Sequence, residues 1–250
     1  MQTATEFMRS NRTNHYTRRS SGMVLLLPGY SFPTCVYDTL AQSCGGAHVY
    51  EWTRNAEMYN VGAVVRDILR TRPDTIIAHS WGCQVALHVV ASSLYTPRSL
   101  VLLEYHPFDN PAPDVYSDPD AVVQGFFPPR APRDAPTERA VRHAFYPGTQ
   151  SVHVGQSLVF SRDIVDAVTA QPRLRVLLSY GTTACTTPDG RIEHASMSKD
   201  QQPPLTRLAS GMKTRATMHV VPHGSHFWFA DPRYSQAVAD IGKWVTTRTE

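Results

Sequence analysis

The chain is poor in charged residues and in cysteine, and it contains no long apolar run. Charged side chains make up 18% of its 250 residues, the formal net charge is only +3, and no segment is dominated by lysine and arginine. This composition gives no indication of nucleic-acid binding. The four cysteines are scattered without a C-x-x-C pair, which is typical of free thiols in a reducing compartment. The longest apolar runs, such as 23–27, are far too short to cross a bilayer. We therefore expect a cytoplasmic protein that binds neither nucleic acid nor a membrane.

The first 20 residues also lack the apolar stretch of a secretory signal peptide. They are rich in arginine, serine and threonine, so a transit peptide is the alternative interpretation. Two short strands around a polar turn are predicted in this segment, over residues 3–10 and 15–19.

Short apolar runs alternate with segments of helical periodicity along most of the chain, and the hydrophobic content of 42% allows a sizeable core in one domain. Strands that alternate with helices predict a mostly parallel α/β sheet covered by helices on both faces. Residues 181–213 are polar, and we expect them to be irregular. The predicted strands are 23–27, 47–52, 75–78, 99–103, 174–180 and 217–221, and the predicted helices of the core are 35–42, 60–69, 81–94 and 232–245.

Residues 107–170 differ in composition from the rest of the chain. Eight of the 19 prolines lie in 107–136, a density that excludes long regular elements. We therefore interpret 107–170 as a cap inserted between two parts of one core domain, 1–106 and 171–250. Aromatic residues of the cap, together with Phe227, are candidates for a substrate pocket, although those in the cap fit a small core of its own equally well. The predicted cap helices are 137–145 and 161–170, and the pocket candidates in the cap are Phe126, Phe127 and Phe145.

Ser80 lies at the junction of a predicted strand and a predicted helix. A strand that turns directly into a helix forces a tight bend, which holds the Ser80 hydroxyl at the helix N-terminus beside the backbone N–H of Trp81. Such a bend tolerates only small residues two positions before and after the serine, and Ala78 and Gly82 meet that need. The pattern favours a nucleophilic serine with an oxyanion site. The alternative is a serine that caps a helix after a core strand.

A nucleophilic serine needs a neighbouring base, and the base needs a carboxylate that fixes its tautomer. His226 is the candidate base because it follows the final predicted strand after small residues, and His223 is its main rival. Glu104 directly follows the strand after the Ser80 helix. Since sites in parallel sheets lie at the carboxyl ends of the strands, we expect Ser80, Glu104 and His226 to form one site. His79, which precedes the serine, is expected to have a structural role.

A metal site is the other chemistry that the two histidines suggest. His223 and His226 are three residues apart, a spacing that on a helix can bring two metal ligands together. Pro222 and Gly224 make this segment a loop, and no third ligand is evident. We therefore expect no metal and no cofactor.

Three motifs resemble those of the α/β-hydrolase fold family. They are Leu27-Pro28-Gly29-Tyr30, the bend from Ala78 to Gly82, and the segment from Gly224 to Pro232, which contains His226-Phe227. The order of serine, acid and histidine is also similar, and the resemblance covers almost the whole chain. It implies an α/β-hydrolase sheet with a cap where that family carries insertions. It also implies an oxyanion hole formed by the backbone N–H groups of Tyr30 and Trp81.

The position of the acid departs from the pattern that is commonest in that family. Many members carry an aspartate soon after the strand that here ends at Tyr180, but the first acid in this loop is Asp189. Other members place the acid after the strand that follows the serine helix, where this chain has Glu104. We therefore favour Glu104 over Asp189 as the acid. The alternative is that Glu104 is an ordinary carboxylate at the end of a strand.

The resemblance leaves three functions open, of which we favour the first. It is a serine hydrolase of a small apolar ester or thioester, in which Ser80 attacks, His226 transfers the proton and Glu104 orients His226. The second is a cofactor-independent dioxygenase of the 3-hydroxy-4-quinolone type, in which His226 is the base and Ser80 only binds the substrate. The third is a non-catalytic small-molecule binding protein on this fold. Dehalogenases and epoxide hydrolases share the acid position, but they need an aspartate nucleophile where this chain has Ser80.

Overall fold

The computed structural model describes nine segments of the chain, and several predictions fall outside them. Outside lie the predicted strands at 3–10 and 15–19, the helix at 137–145 and most of the cap, together with Tyr30, Phe126, Phe127, Phe145 and Asp189. The described residues are 22–29, 34–51, 61–93, 95–105, 162–182, 185–186, 192–194, 202–224 and 226–247.

Helices and strands alternate through the described residues, as the sequence predicts. The helices are α1 (Asp38–Ser43), α2 (Val61–Thr71), α3 (Trp81–Ala91), α4 (Arg162–Thr169), α5 (Gln202–Met212) and α6 (Ser235–Thr246). Short 3₁₀ turns cover Thr34–Tyr37, Lys213–Arg215, Trp228–Ala230 and Pro232–Tyr234. The strands are β1 (Val24–Leu27), β2 (His48–Val49), β3 (Thr75–His79), β4 (Ser99–Leu103), β5 (Arg175–Gly181), β6 (Cys185–Thr186), β7 (Ile192–His194) and β8 (Ala216–Val221).

Six parallel strands form one sheet in the order β2-β1-β3-β4-β5-β8. The register aligns the carboxyl ends of the three central strands, since His79 pairs with Leu103 and Leu103 pairs with Ser179. The residues that follow these strands therefore lie at the same end of the sheet, Ser80 after β3 and Glu104 after β4. The predicted α/β fold with a mostly parallel sheet flanked by helices is confirmed.

Both faces of the sheet are apolar at its centre and covered there by helices. Successive side chains of a strand point to opposite faces. In β3, Ile76 and Ala78 pack in the cluster that contains helices α2 to α5, whereas Ile77 packs in the cluster that contains α1 and α6. All three side chains are fully buried, which explains why this strand reads as a continuous apolar run rather than as an alternating pattern.

Helix α5 lies where we expected irregular structure, so that expectation was wrong. The expectation rested on the polar composition of residues 181–213, and the helix contains Pro203 and Pro204. Proline is tolerated in the first turn of a helix, because the first N–H groups have no partner within the helix. Leu208 and Met212, four residues apart, are buried in the core. These two side chains anchor the C-terminal half of α5 in the core.

Two elements are shorter than predicted. Among the described residues, the strand expected at 47–52 comprises only β2, which lies at the edge of the sheet beside β1, and residue 52 lies outside them. The last helix begins at Ser235, after a separate 3₁₀ turn in which the side chain of Asp231 accepts a hydrogen bond from the Arg233 N–H. Edge position and local capping thus set the lengths of these elements.

Helix α4, at the C-terminal end of the predicted cap, packs into the core. Val165 and Val168 are buried in the same apolar cluster as residues of α3. The remainder of 107–170 lies outside the described residues, so the division into core and cap stays a prediction.

No helix in the described segments is both long and apolar enough to cross a membrane. Cys44 and Cys83 are buried, and neither forms a disulfide. Burial raises the pKa of Cys44 to about 12, so this thiol stays protonated at neutral pH.

Candidate active site

Ser80 occupies a strained bend between β3 and α3. Its backbone angles are φ 50° and ψ −119°, and such a conformation costs a residue other than glycine about 1–3 kcal/mol. Two hydrogen bonds hold the bend, because the Ser80 N–H donates to Leu103 O at 2.9 Å and Ser80 O accepts from the Cys83 N–H at 2.9 Å. Among the described residues, the Ser80 side chain makes no capping hydrogen bond to α3. The geometry therefore favours the nucleophile bend over a helix-capping serine.

Gly82, two residues after the serine, has no room for a side chain. A Cβ atom at this position would lie 2.4 Å from Leu27 O and 2.6 Å from Pro28 O. The first turn of α3 therefore packs directly on the backbone at the end of β1. That backbone begins the motif that is predicted to supply the second oxyanion N–H, at Tyr30.

Gly82→Ala should lower the free energy of unfolding by about 2 kcal/mol or more, because the two oxygens belong to a buried strand end that cannot shift without repacking. The matched control is Gly211→Ala in α5, where an added Cβ meets first a methyl group of Thr169, at 2.6 Å. The Cβ of Thr169 also lies at 3.2 Å, so this side chain must shift, but alanine favours a helix over glycine by about 1 kcal/mol, and the variant should lose less stability than Gly82→Ala. Urea unfolding followed by circular dichroism measures both variants. If Gly82→Ala is as stable as the parent, the close packing of α3 on β1 is contradicted.

Glu104 is a fully buried carboxylate at the end of β4. Its backbone is held in the left-handed region at φ 50°, and its N–H donates to Ser179 O at 2.9 Å. Its Oε1 accepts a hydrogen bond of 2.5 Å from the Gly181 N–H, and its Oε2 lies 4.0 Å from His226 Nδ1. A buried carboxylate needs such partners to offset its loss of hydration. The Gly181 N–H therefore orients this carboxylate so that its second oxygen faces the imidazole.

The close approach of two glycines brings Glu104 and His226 together. A Cβ atom on Gly181 would lie 2.1 Å from Gly224 O, so the end of β5 and the loop after β8 touch backbone to backbone. Gly181 supplies the N–H that holds Glu104, and Gly224 lies two residues before His226. Any side chain at Gly181 would force the carboxylate and the histidine apart.

His226 is almost fully buried at 1% exposure, whereas its rival His223 is exposed. The backbone of His223 is tied down at the surface, where its N–H donates to Thr182 Oγ1 at 2.8 Å and its carbonyl accepts from the Tyr234 hydroxyl at 2.6 Å. The 4.0 Å between His226 and Glu104 exceeds a hydrogen bond, as is common for catalytic pairs without a bound substrate. At this distance the carboxylate stabilises an imidazolium by its charge. The geometry therefore favours His226 over His223 as the base.

His79 connects several parts of the site. Its ring is fully buried, with Nδ1 2.8 Å from the hydroxyl of Tyr37 and Nε2 3.1 Å from the backbone carbonyl of His226. The Tyr37 hydroxyl in turn accepts a hydrogen bond of 2.8 Å from the Gly29 N–H. Burial raises the pKa of Tyr37 well above its ordinary value, so the phenol remains a hydrogen-bond donor. Tyr37 was not singled out from the sequence, and no local pattern marks it.

The other predicted site residues are only partly described. The backbone of Trp81 begins α3, where the predicted oxyanion hole would have it. Phe227 is buried at 1% exposure, and its ring centroid is 5.0 Å from that of His226 and 5.2 Å from that of His79. Its place in a substrate pocket stays a prediction, as do those of the phenylalanines in the cap.

Within the described part of the chain, no group of three or more His, Cys, Asp and Glu side chains is arranged to hold a metal ion. His223 is exposed and His226 is buried beside Glu104. The two histidines whose spacing suggested a metal pair therefore lie in different environments.

The sequence matches the alpha/beta hydrolase family over residues 19–241. The chain therefore belongs to this family, in agreement with the three motifs and with the parallel sheet. A search of curated proteins finds no match.

Solved structures with the same fold cover about nine tenths of the chain at low identity. A carboxylesterase of the thaumarchaeon Nitrososphaera gargenis is 11% identical, with a TM-score of 0.59, and the match covers 90% of this chain and 92% of that chain. A loop variant of a haloalkane dehalogenase from Bradyrhizobium elkanii is 13% identical, with a TM-score of 0.59 and 91% of each chain covered. A monoacylglycerol lipase of Paleococcus ferrophilus is 17% identical, with a TM-score of 0.53 and coverage of 90% and 93%. These identities show a shared fold alone.

Proposed function

We propose that this chain is a serine hydrolase that cleaves a small apolar ester or thioester through Ser80, His226 and Glu104. The observation that carries the proposal is the buried carboxylate of Glu104, held by the Gly181 N–H and 4.0 Å from His226 Nδ1. Ser80 follows the neighbouring strand, β3, in a strained bend. Among the described residues, its side chain makes no capping hydrogen bond that would account for this strain. Strain of this kind is characteristic of functional sites.

The proposed reaction uses side chains and backbone N–H groups only. His226 removes the proton of Ser80 as the serine oxygen attacks the acyl carbon. Glu104 stabilises the resulting imidazolium, and the N–H groups of Trp81 and Tyr30 receive the oxyanion. The imidazolium then protonates the departing alcohol or thiol, which leaves an acyl-serine. Water, deprotonated by His226, attacks the acyl carbon, and the imidazolium returns the proton to the serine oxygen as the bond to the acyl group breaks and the acid leaves.

Turnover of short-chain p-nitrophenyl esters and of acyl thioesters with the same acyl groups tests this proposal. We expect saturable hydrolysis, with a burst of product equivalent to the enzyme wherever release of the acyl group is slower than its formation. The spontaneous rate in buffer and the rate with heat-unfolded protein are the controls. Absence of turnover across both series would contradict the proposed reaction.

Dialysis against EDTA should leave hydrolysis unchanged. The nucleophile, base and acid of the proposed reaction are Ser80, His226 and Glu104, so no step depends on a bound ion. Initial rates before and after dialysis measure this, with dialysis against plain buffer as the control. A loss of activity that zinc restores would contradict the reaction as written.

One observation also suits a second function, a cofactor-independent dioxygenase. A buried pair of Glu104 and His226 can deprotonate an aromatic hydroxyl as well as a serine. The Ala78-His79-Ser80 bend resembles that of the enzymes that cleave 3-hydroxy-4-quinolones, in which the substrate anion reacts with O₂. An oxygen electrode separates the two functions. With a 3-hydroxy-4-quinolone we expect no uptake above that of a His226→Ala control.

A further inference from the structure

We propose that His79 is a positioning residue, whose imidazole holds the backbone of His226 and links it to the backbone of Gly29. The inference rests on the proposed function, because it treats His226 as the base of the reaction. It adds a role for a residue that neither attacks the substrate nor transfers its proton.

For a neutral His79 ring, the hydrogen-bond chain has only one consistent direction. The carbonyl of His226 can only accept, so Nε2 of His79, at 3.1 Å, must carry the hydrogen. The Tyr37 hydroxyl accepts from the Gly29 N–H, so its own hydrogen is available for Nδ1 of His79, at 2.8 Å. Each donor is then matched to an acceptor. The chain runs from Gly29 through Tyr37 and His79 to His226.

This direction requires a neutral imidazole, and the surroundings of the ring favour that state. The ring centroids of His79 and His226 are only 4.6 Å apart. A charge on His79 would repel the imidazolium that the proposed reaction forms on His226. The faces and edges of Tyr37, Phe227 and Phe229 surround His79 at centroid distances of 5.7, 5.2 and 4.8 Å. This apolar environment opposes a charged ring.

The hydrogen-bond chain also joins two functional parts that come from distant points of the sequence. Gly29 directly precedes Tyr30, the predicted oxyanion residue. His79 directly precedes Ser80, and it reaches a residue 147 positions away. One buried ring therefore fixes the base relative to the serine bend and to the oxyanion loop. A displacement of about 1 Å in such a geometry is enough to lower a rate by about 10²-fold.

Two substitutions separate the hydrogen bond from the bulk of the ring. In His79→Gln the amide nitrogen reaches the position of Nε2 and can still donate to the His226 carbonyl. In His79→Asn the shorter side chain reaches only the position of Nδ1, so it keeps an acceptor for Tyr37 and loses the donor to His226. We expect His79→Asn to slow labelling of Ser80 by a fluorophosphonate by about 10- to 100-fold, and His79→Gln to stay within about threefold of the parent. In ester hydrolysis the loss should appear in kcat, with KM nearly unchanged.

The controls and a third variant guard against a folding defect. His88 lies on α3, half-buried and outside the hydrogen-bond chain, so His88→Gln and His88→Asn should label at the rate of the parent. Thermal unfolding of each variant reports its stability. If His79→Asn does not fold, His79→Leu serves instead, since it fills the apolar surroundings of the ring but likewise cannot donate to the His226 carbonyl. We expect it to slow labelling in the same direction.

A measurement on the resting protein makes the outcome independent of the reaction. Long-range ¹H–¹⁵N spectra report the tautomer and environment of the His226 ring. We expect shifted or split His226 signals in His79→Asn and signals close to those of the parent in His79→Gln. Equal labelling and equal spectra in the two variants, or damage as great in His79→Gln as in His79→Asn, would overturn the positioning role. A parent that the probe does not label contradicts the proposed function instead, and the His226 spectra then decide this inference.

Discussion

Ser80→Ala is expected to reduce ester hydrolysis by about 10⁴-fold or more, because loss of the nucleophile leaves only binding and the oxyanion site. Alanine keeps the Cβ atom of serine, so it adds no new strain at φ 50°. The hydrogen bond from the residue 80 N–H to Leu103 O is also retained. The loss should therefore appear in kcat without a loss of stability.

Initial rates on a series of short acyl p-nitrophenyl esters measure the effect, and thermal unfolding of the same samples is the control for folding. The size of the loss is informative in itself. A serine that only hydrogen-bonds a substrate contributes about 1–3 kcal/mol, which corresponds to about 10- to 100-fold in rate. A loss within that range would give Ser80 a binding role, and equal rates in the mutant and the parent would remove it from the reaction.

Glu104→Gln is expected to lower kcat by about 10⁴-fold. Glutamine has the shape of glutamate and keeps an oxygen that can accept from the Gly181 N–H. It lacks the charge that stabilises the His226 imidazolium, and its amide can donate to Nδ1, which favours the wrong tautomer of the base. Because glutamine preserves the geometry, the free energy of unfolding should stay close to that of the parent.

Asp189→Asn is the matched control for Glu104→Gln, since Asp189 occupies the loop where many members of the family carry their acid. We expect this variant to hydrolyse esters at the rate of the parent. Both variants are compared by kcat on one ester, with the urea midpoint as the control for folding. The reverse ranking would place the acid in the loop after β5.

The positions of Ser80 and Glu104 were predictable because they follow from strand order. Apolar runs at 75–78 and 99–103 mark strands buried on both faces, and strands connected through helices run parallel. Residues just beyond such strands must therefore lie at one end of the sheet. The small residues Ala78 and Gly82 further distinguished Ser80 as the serine of a tight bend. The close contact of Gly82 with the end of β1 explains why a small residue is needed there.

Other parts of the site depend on contacts that no local pattern records. The hydrogen bond from Gly181 to Glu104 joins residues 77 positions apart, and it exists only because β4 and β5 are neighbours. The role of Tyr37 depends on the direction of one side chain across the core. Helix α5 was missed because residues 181–213 were judged by their polar composition, although proline is tolerated in the first turn of a helix. Periodicity thus predicts the elements, and tertiary packing decides how their side chains meet.

The mass of the protein after reaction with a fluorophosphonate probe tests the central claim most directly. The proposed mechanism predicts a single adduct, mapped to Ser80 in the digested protein and absent from Ser80→Ala. The contrary result has two parts. The parent stays unlabelled yet consumes O₂ with a 3-hydroxy-4-quinolone. The Ser80→Ala variant keeps about a hundredth or more of that rate of O₂ consumption.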